Sequence, residues 1–444
     1  MDSLDPLVLS RVQFGVTIGF HILFPSLTIG LAGWLAILEV RWLRTSDALV
    51  ERLLRLWTKV FAVAFGMGVV SGIVLSYEFG TNWSAFSQRA GNVLGPLLSY
   101  EVLTAFFLEA SFLGIMLFGW SRVPRAMHCF ATSAVAIGTV ISAFWILAAN
   151  SWMQTPSGYR VQDGVFMPVD WFAIVFNPSF PYRFAHMVTA AYLTAGFVVA
   201  GVGAWHVLRQ RCIAEGRAML AAALPLIAIL APLQILIGDQ HGLEVRDHQP
   251  AKLAAIEAHW KSGGPMKLVL SAWPDMAAAQ NRAELAVPSL GSLILTHSWD
   301  GPVAGLDAFP RADWPNVPVV FWSFRIMVGI GFAMLFLGAA GAILWWRGRL
   351  FDSRWYLRLM ALATPAGFIA VLAGWVTAEV GRQPWLIQGL MRTSEGVSPV
   401  PGGSVAFSLA LFVTVYGVIF GAGVYYVVRL LRDGPAVPIR SVGE

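Results

Sequence analysis

Long apolar runs separated by short basic segments dominate this chain, and they predict membrane-spanning helices rather than a water-soluble core. Runs of about 20 apolar residues, enough to cross a bilayer, fall near 14–38, 58–76, 95–119, 127–148, 184–208, 219–238, 319–346, 357–379 and 404–429. The expected fold is an all-α integral membrane protein of nine packed helices. An odd number of spans puts the termini on opposite sides, and the basic residues choose the sides. Arg41, Arg44, Arg52, Arg55 and Lys59 follow the first span, Arg122 and Arg125 the third, Arg209, Arg211 and Arg217 the fifth, and Arg347, Arg349, Arg354 and Arg358 the seventh. These connections are expected to be cytoplasmic, together with a tail holding Arg429, Arg432 and Arg440, which places the N-terminus outside. The first span follows a short acidic segment (Asp2, Asp5) without a basic leader, so it reads as a retained helix.

The connections are unequal. Residues 1–238 carry six spans, 239–318 form a polar extracytoplasmic loop of about 80 residues, 319–430 carry three more spans, and 431–444 form a cytoplasmic tail, frayed from Gly434 onward. Within the loop, Gln249–Trp260 has helical propensity and ends before the breaker Gly263-Gly264-Pro265, so a short surface helix is expected. Composition agrees, with 57% apolar and 12% charged residues. The net charge of +5 is accounted for by the cytoplasmic loops, and no basic and aromatic pattern suggests nucleic acid. Cys129 and Cys212 both fall near the cytoplasmic side, where a disulfide would not persist. No CxxCH motif is present, so any haem is held non-covalently.

Ionisable groups inside a span are costly unless paired or liganded, which makes the few present here functional candidates. They are His21, Glu101, Glu109, His128, His186, Arg325 and Glu379. By the expected topology, His21 and Glu101 lie about two turns, near 10 Å, below the outer surface, and His186, Met327 and Glu379 lie close to the outer ends of their helices. Two His, a Met and carboxylates at similar depth suit haem ligation. A His–Met pair fills both axial positions of an iron and gives a low-spin electron-transfer haem, whereas a haem with an open position binds O2; His186 with Met327 suits the first role. Against this, a Met in an apolar helix is packing about nine times in ten, and a lone membrane His is often polar glue between helices. Glu101 and Glu109, eight residues and about 12 Å apart on broadly one side of a helix, can step protons or simply hydrogen-bond a neighbouring helix. Two rival readings stay open at this point. One is a proton-coupled solute transporter using Glu101 and Glu109, and the other a cytochrome b anchor that exchanges electrons with quinone without touching O2.

Eight separated segments then carry a resemblance: RVQFGVTIGFHILFP around His21, FGTNWS at 79–84, EVLTAFFLEASF at 101–112, WILAANSWMQTP at 145–156, GDQHG at 238–242, KLAAIEAHW at 252–260, FWSFRIMVG at 321–329 and GWVTAEVGRQPW at 374–385. Over nearly the whole chain the sequence resembles subunit I of the cytochrome bd-type quinol oxidases, and agreement over so many segments is far more specific than a lone motif. The resemblance implies that His186 and Met327 ligate a low-spin haem b with Arg325 beside it. It implies that His21 and Glu379 ligate a pair of high-spin haems, one b and one d, with Glu101 and Trp375 lining the pair. It implies that Lys252 and Glu257 bind the quinol, ubiquinol or menaquinol, and that Glu109 belongs to a proton pathway. The expected activity is quinol oxidation at the outer face and O2 reduction to water with protons from the cytoplasm, without a pump. The expected setting is the bacterial inner membrane, beside subunit II and one or two single-helix small subunits. The external loop is shorter than in the longest relatives, which suits the short-loop, cyanide-insensitive branch, where haem d is scarce or replaced by haem b. Glu78, before the FGTNW segment, is a difference from the family pattern that touches no expected ligand.

Overall fold

The structure is a computed structural model that describes residues 5–435, so Asp2, Arg440 and the rest of the expected tail beyond 435 lie outside the described residues. The long helices are α1 (Pro6–Thr45), α2 (Ala48–Thr81), α3 (Ser84–Glu101) continuing into α4 (Phe107–Phe118), and α5 (Arg125–Gln154). After a short α6 (Trp171–Val175) come α7 (Phe180–Leu208) and α8 (Ile213–His248). The external segment holds α9 (Pro250–Ile256) and α10 (Leu290–Thr296), and α11 (Val317–Trp346), α12 (Arg354–Leu362), α13 (Ala366–Val380) and α14 (Gly402–Asp433) complete the set. Eight of these helices, counting α3 and α4 as one, are long and apolar enough to cross a membrane, and α12 with α13, bent by 41°, makes a ninth if counted as one span. The bend falls at residues 363–365, where Pro365 cannot continue the hydrogen-bond ladder of α12.

Helix ends follow local chemistry. Asp5 and Asp47 each accept a backbone N–H from the first turn of α1 and α2, and Pro6 occupies the first position of α1, where no N–H is needed. The helices outrun the apolar stretches, because capped polar turns extend past them. α1 starts eight residues before the expected span, so His21 lies fifteen residues, about 22 Å, from the start of its helix. α8 runs ten residues past 238, so the GDQHG segment is helical and the external loop begins at Gln249.

The main core, with Leu31, Leu35, Trp57, Phe61, Phe197 and Tyr356 buried, joins α1, α2, α7, α8, α11, α12 and α13. α7 and α8 touch through glycines: a Cβ on Gly203 would stand 2.7 Å from the carbonyl of Gly216, and one on Gly216 2.8 Å from that of Gly203. Small residues let membrane helices approach this closely. The external segment has its own core, in which Leu253, Ile256, Trp260, Val269 and Leu295 pack on Phe321 of α11. The helix expected at 249–260 is α9, shorter by several residues. An antiparallel hairpin, β3 (Leu268–Asp275) with β4 (Gln280–Val287), follows it. Similar two-stranded ribbons, β1 (Tyr159–Gln162) with β2 (Val165–Pro168) and β5 (Trp385–Ile387) with β6 (Met391–Arg392), lie in other connections.

Candidate functional site

At the long-loop end, α5, α9 and α13 meet around Lys252 and Glu379. Lys252 is 3% exposed and donates to Gln154 Oε1 at 2.5 Å and Gln249 Oε1 at 2.9 Å. Gln154 in turn donates to Glu379 Oε1 at 3.0 Å, Asn150 donates to the same oxygen at 3.1 Å, and Arg382 pairs with Oε2. Burial holds the Lys252 ammonium well below the ordinary lysine value, and Arg183 pushes the same way. Glu257 points elsewhere. It receives Arg325 Nη2 at 2.7 Å, and Arg325 also donates to the Val269 carbonyl at 2.8 Å and lies over the Phe321 ring. Lys252 and Glu257, both expected to bind the quinol, are therefore engaged by different partners, Lys252 by Gln154 and Gln249 and Glu257 by Arg325 on the helix that carries Met327.

Three of the expected iron ligands face a glycine on the next helix. A Cβ on Gly72 would lie 3.3 Å from His21 Cε1, one on Gly238 3.3 Å from His186 Cε1, and one on Gly374 2.8 Å from Met327 Sδ. Trp375 follows Gly374 on α13, half-buried. The tautomer of His21 can be read from Ser71. The Ser71 hydroxyl lies within reach of the Met67 and Gly68 carbonyls and spends its one proton there, so at 3.0 Å it accepts from His21 Nδ1. Nε2 then keeps its lone pair, the state a metal ligand requires.

Glu101 and Glu109 are linked by a feature absent from the sequence pattern, a single π-helical turn over Val102–Phe106. In a regular α-helix, eight residues leave side chains about 80° apart; the extra residue of an i→i+5 turn brings them close to two whole turns. Both carboxyls thus face α5. Glu101 accepts from Ser142 Oγ at 2.8 Å, and Glu109 is buried against Gly138, one turn away. His128, singled out by sequence, pairs with Glu39 at 2.8 Å, both buried, at the end of the bundle away from the long loop.

Sequence reading missed a second group at the long-loop end: Arg183, His241, Glu244 and Arg382. His241 is 5.9 Å from His186 between ring centres, and Glu244 lies 3.9 Å from His241 and 3.4 Å from His248. Their spacing, i+3 and i+4 along α8, was available once 238–248 was known to be helical. Buried nitrogens without a protein partner gather here, namely Arg183 Nε, His186 Nδ1, His241 Nε2 and Arg382 Nε. Unpaired buried donors are rare unless a bound group completes them.

The geometry defines a multi-helix membrane protein whose polar side chains converge at one end of the bundle, with glycine-backed His and Met side chains suited to binding a flat prosthetic group. Residues 9–435 match the family described as cytochrome bd terminal oxidase subunit I. The chain is 35% identical to cytochrome bd ubiquinol oxidase subunit 1 of Bacillus subtilis (strain 168), over 97% of this chain and 94% of that one. It is 34% identical to cytochrome bd-II ubiquinol oxidase subunit 1 of Escherichia coli (strain K12), over 97% of each. A bd oxidase structure from Geobacillus thermodenitrificans is similar over 98% of this chain and 100% of that chain, with TM-score 0.89 and 31% identity. The chain belongs to the cytochrome bd terminal oxidase subunit I family. It is the catalytic subunit I of a bacterial quinol oxidase, a multi-pass membrane protein of respiratory electron transport, and the transporter and cytochrome b anchor readings fall away.

The family implies haems, and the residues present fit them. Gly72, Gly238 and Gly374 make room for the His21, His186 and Met327 side chains on the facing helices. Arg183 and Arg382 each keep a buried Nε without a protein partner, donors free for a group bearing acidic substituents.

Proposed function

We propose that quinol, ubiquinol or menaquinol, binds at the long-loop end beside Glu257, and that this end faces outward. The ion pair of Glu257 with Arg325 carries the reading, because it sets a proton-accepting carboxylate one hydrogen bond from a side chain two positions before Met327. Glu257 takes the quinol hydroxyl proton and Arg325 balances its charge, so proton and electron leave the substrate at adjacent places. Lys252 orients the other quinone oxygen. His186 and Met327 would hold a low-spin haem b, and His21 and Glu379 the high-spin pair, a b with either a d or a second b, lined by Glu101 and Trp375. When bound, these groups supply one-electron transfer and, where an axial position is open, O2 reduction to water. Arg382, Asn150 and Gln154 fix the Glu379 carboxylate, and Ser71 fixes the His21 ring. Glu109 and Glu101, aligned by the π-turn, pass protons from the opposite, cytoplasmic side toward that pair, so charge separates without a pump.

The working complex includes subunit II and one or two single-helix small subunits. The compact external segment supports the short-loop, cyanide-insensitive branch, and the N-terminus lies outside, as the basic connections indicate. The division into six spans, the quinol loop, three spans and a tail is retained, with the loop starting at 249. Glu257→Gln keeps an oxygen for Arg325 but removes the proton acceptor. Quinol oxidation should fall by about 10²-fold with every haem band unchanged. Loss of the haem bands instead would show that Glu257 is structural.

A further inference from the structure

A buried polar seam outside the groups described above runs along α1 toward His21. Ser10, Gln13, Thr17 and His21, spaced 3, 4 and 4 apart, share one face of the helix. Ser10, Gln13 and Thr17 are each at most 1% exposed. On α2, Ser71 and Glu78 are seven residues apart and likewise share a face. The antiparallel pairing sets Ser71 against His21 at 3.0 Å and, one turn along α1 and two along α2 toward the long-loop end, sets Glu78 against Thr17, whose hydroxyl donates to Glu78 Oε1 at 2.5 Å. α14 closes the seam with Ser408, which donates to Gln13 at 3.0 Å, and with Tyr416.

Glu78 is 1% exposed, and among the described residues no cationic side chain pairs with it. Its Oε2, the Tyr416 hydroxyl and the Ser10 hydroxyl are all buried without a protein partner. Three such groups along one seam provide the polar contacts that internal water needs. The Glu78 carboxyl meets Thr17 from α1 and lies near the Tyr416 hydroxyl from α14, while the Trp83 amide at the start of α3 donates to the Glu78 backbone carbonyl at 3.1 Å. Among the described residues, the ion pair between α2 and α8, Arg52 with Glu215, lies at the other end of α2.

We propose that Glu78 is a redox-linked proton site, taking up one proton through the Ser10–Gln13–Thr17 seam when an electron reaches the iron held by His21, and returning it on oxidation. The proposal rests on the reading that His21 is an iron ligand. The step balances: the quinol supplies the electron, the iron is reduced by one, and the carboxylate becomes a carboxyl by gaining one proton from water. An added negative charge near a carboxylate with no counter-cation favours its protonated form, and by reciprocity the proton favours reduction. Where the family pattern has no carboxyl, this coupling would be lacking.

The test is a redox titration of the high-spin haems in the purified oxidase complex over a range of pH, in wild type, Glu78→Gln and Thr17→Val. In wild type, a tenfold fall in proton concentration should lower the reduction equilibrium of the His21 haem several-fold, toward the tenfold limit of one proton per electron. In Glu78→Gln this dependence should drop by half or more. Thr17→Val removes a donor that favours the ionised carboxyl, so the dependence should persist but extend to higher pH. An infrared difference band of a protonated carboxyl, present on reduction of wild type and lost in Glu78→Gln, gives a readout independent of potentials. If Glu78→Gln assembles its haems and keeps the wild-type dependence, the proposal is overturned while the ligand reading stands. If Glu78→Gln does not assemble, an unmoved dependence in Thr17→Val and no wild-type carboxyl band overturn it. Retention of every high-spin band in His21→Ala would instead overturn the ligand reading.

Discussion

Gly374→Ala tests the glycine-backed pocket with a single methyl group. The new Cβ would stand 2.8 Å from Met327 Sδ, where contact between such atoms is comfortable only beyond about 3.5 Å, so the side chains would overlap by roughly 0.7 Å. The helices α11 and α13 are packed together and cannot readily separate, whereas the Met side chain has three rotatable bonds and swings away. Overpacking of this kind costs about 1–3 kcal/mol, and at about 1.4 kcal/mol per tenfold the thioether would lose roughly 5- to 150-fold of its preference for the pocket. A weak axial ligand does not survive that. The expected result, read from reduced-minus-oxidised spectra with and without CO, is a diminished low-spin signal and new CO reactivity from the same haem. Gly238→Ala, with its Cβ 3.3 Å from His186 Cε1, should be milder, because the closest approach exceeds that at Gly374 by half an ångström. A full low-spin signal in Gly374→Ala, with no added CO binding, would refute the assignment of Met327 as an iron ligand.

His186→Ala should remove the low-spin signal and leave CO-reactive haem in place, a selective loss that separates the two haem groups by spectrum alone. Glu109→Gln should retain all haem bands and an unchanged KM for quinol while slowing O2 reduction, measured by flow-flash kinetics; an unaffected rate would remove Glu109 from the proton route. In the external segment, burial lowers the His259 pKa below its ordinary 6.5, against hydrogen bonding to Val303 and the charge of Asp307. The folded segment therefore holds this ring neutral while the unfolded chain protonates it, so segment stability should fall as pH drops below about 6.5. Hydrogen exchange over residues 250–310 should show faster opening at pH 5 than at pH 7, and His259→Gln should flatten the difference.

The spans were legible because apolar runs of bilayer length have few other uses, and the broken span at 354–380 was legible as one apolar stretch although Pro365 divides it. Their polar ends were not, since caps such as Asp5 and the helical run through Glu244 to His248 carry no apolar signal. The π-turn between Glu101 and Glu109 left no mark in the sequence either, because its residues are ordinary helix formers and its effect is a rotation. Candidate residues stood out where charge interrupts apolar sequence. The partners that hold them did not: Gln154, Asn150 and Ser71 are common polar residues, and only the packing of α5 and α2 gives them a task. The resemblance gives Lys252 and Glu257 one substrate, yet the two-turn helix before Glu257 sends them to different neighbours.

The β3–β4 ribbon also bears on how such a loop can vary in length. Its tip at 276–279 is reversed by Asp275, which accepts the amides of Ala277 and Ala278, and it stands about 23 Å along the strand from the Val269 carbonyl that anchors Arg325. Extra residues spliced in at that tip would project into the aqueous phase and leave the Glu257–Arg325 pair undisturbed. The same tip offers a place to graft an epitope or a spectroscopic label onto the working enzyme.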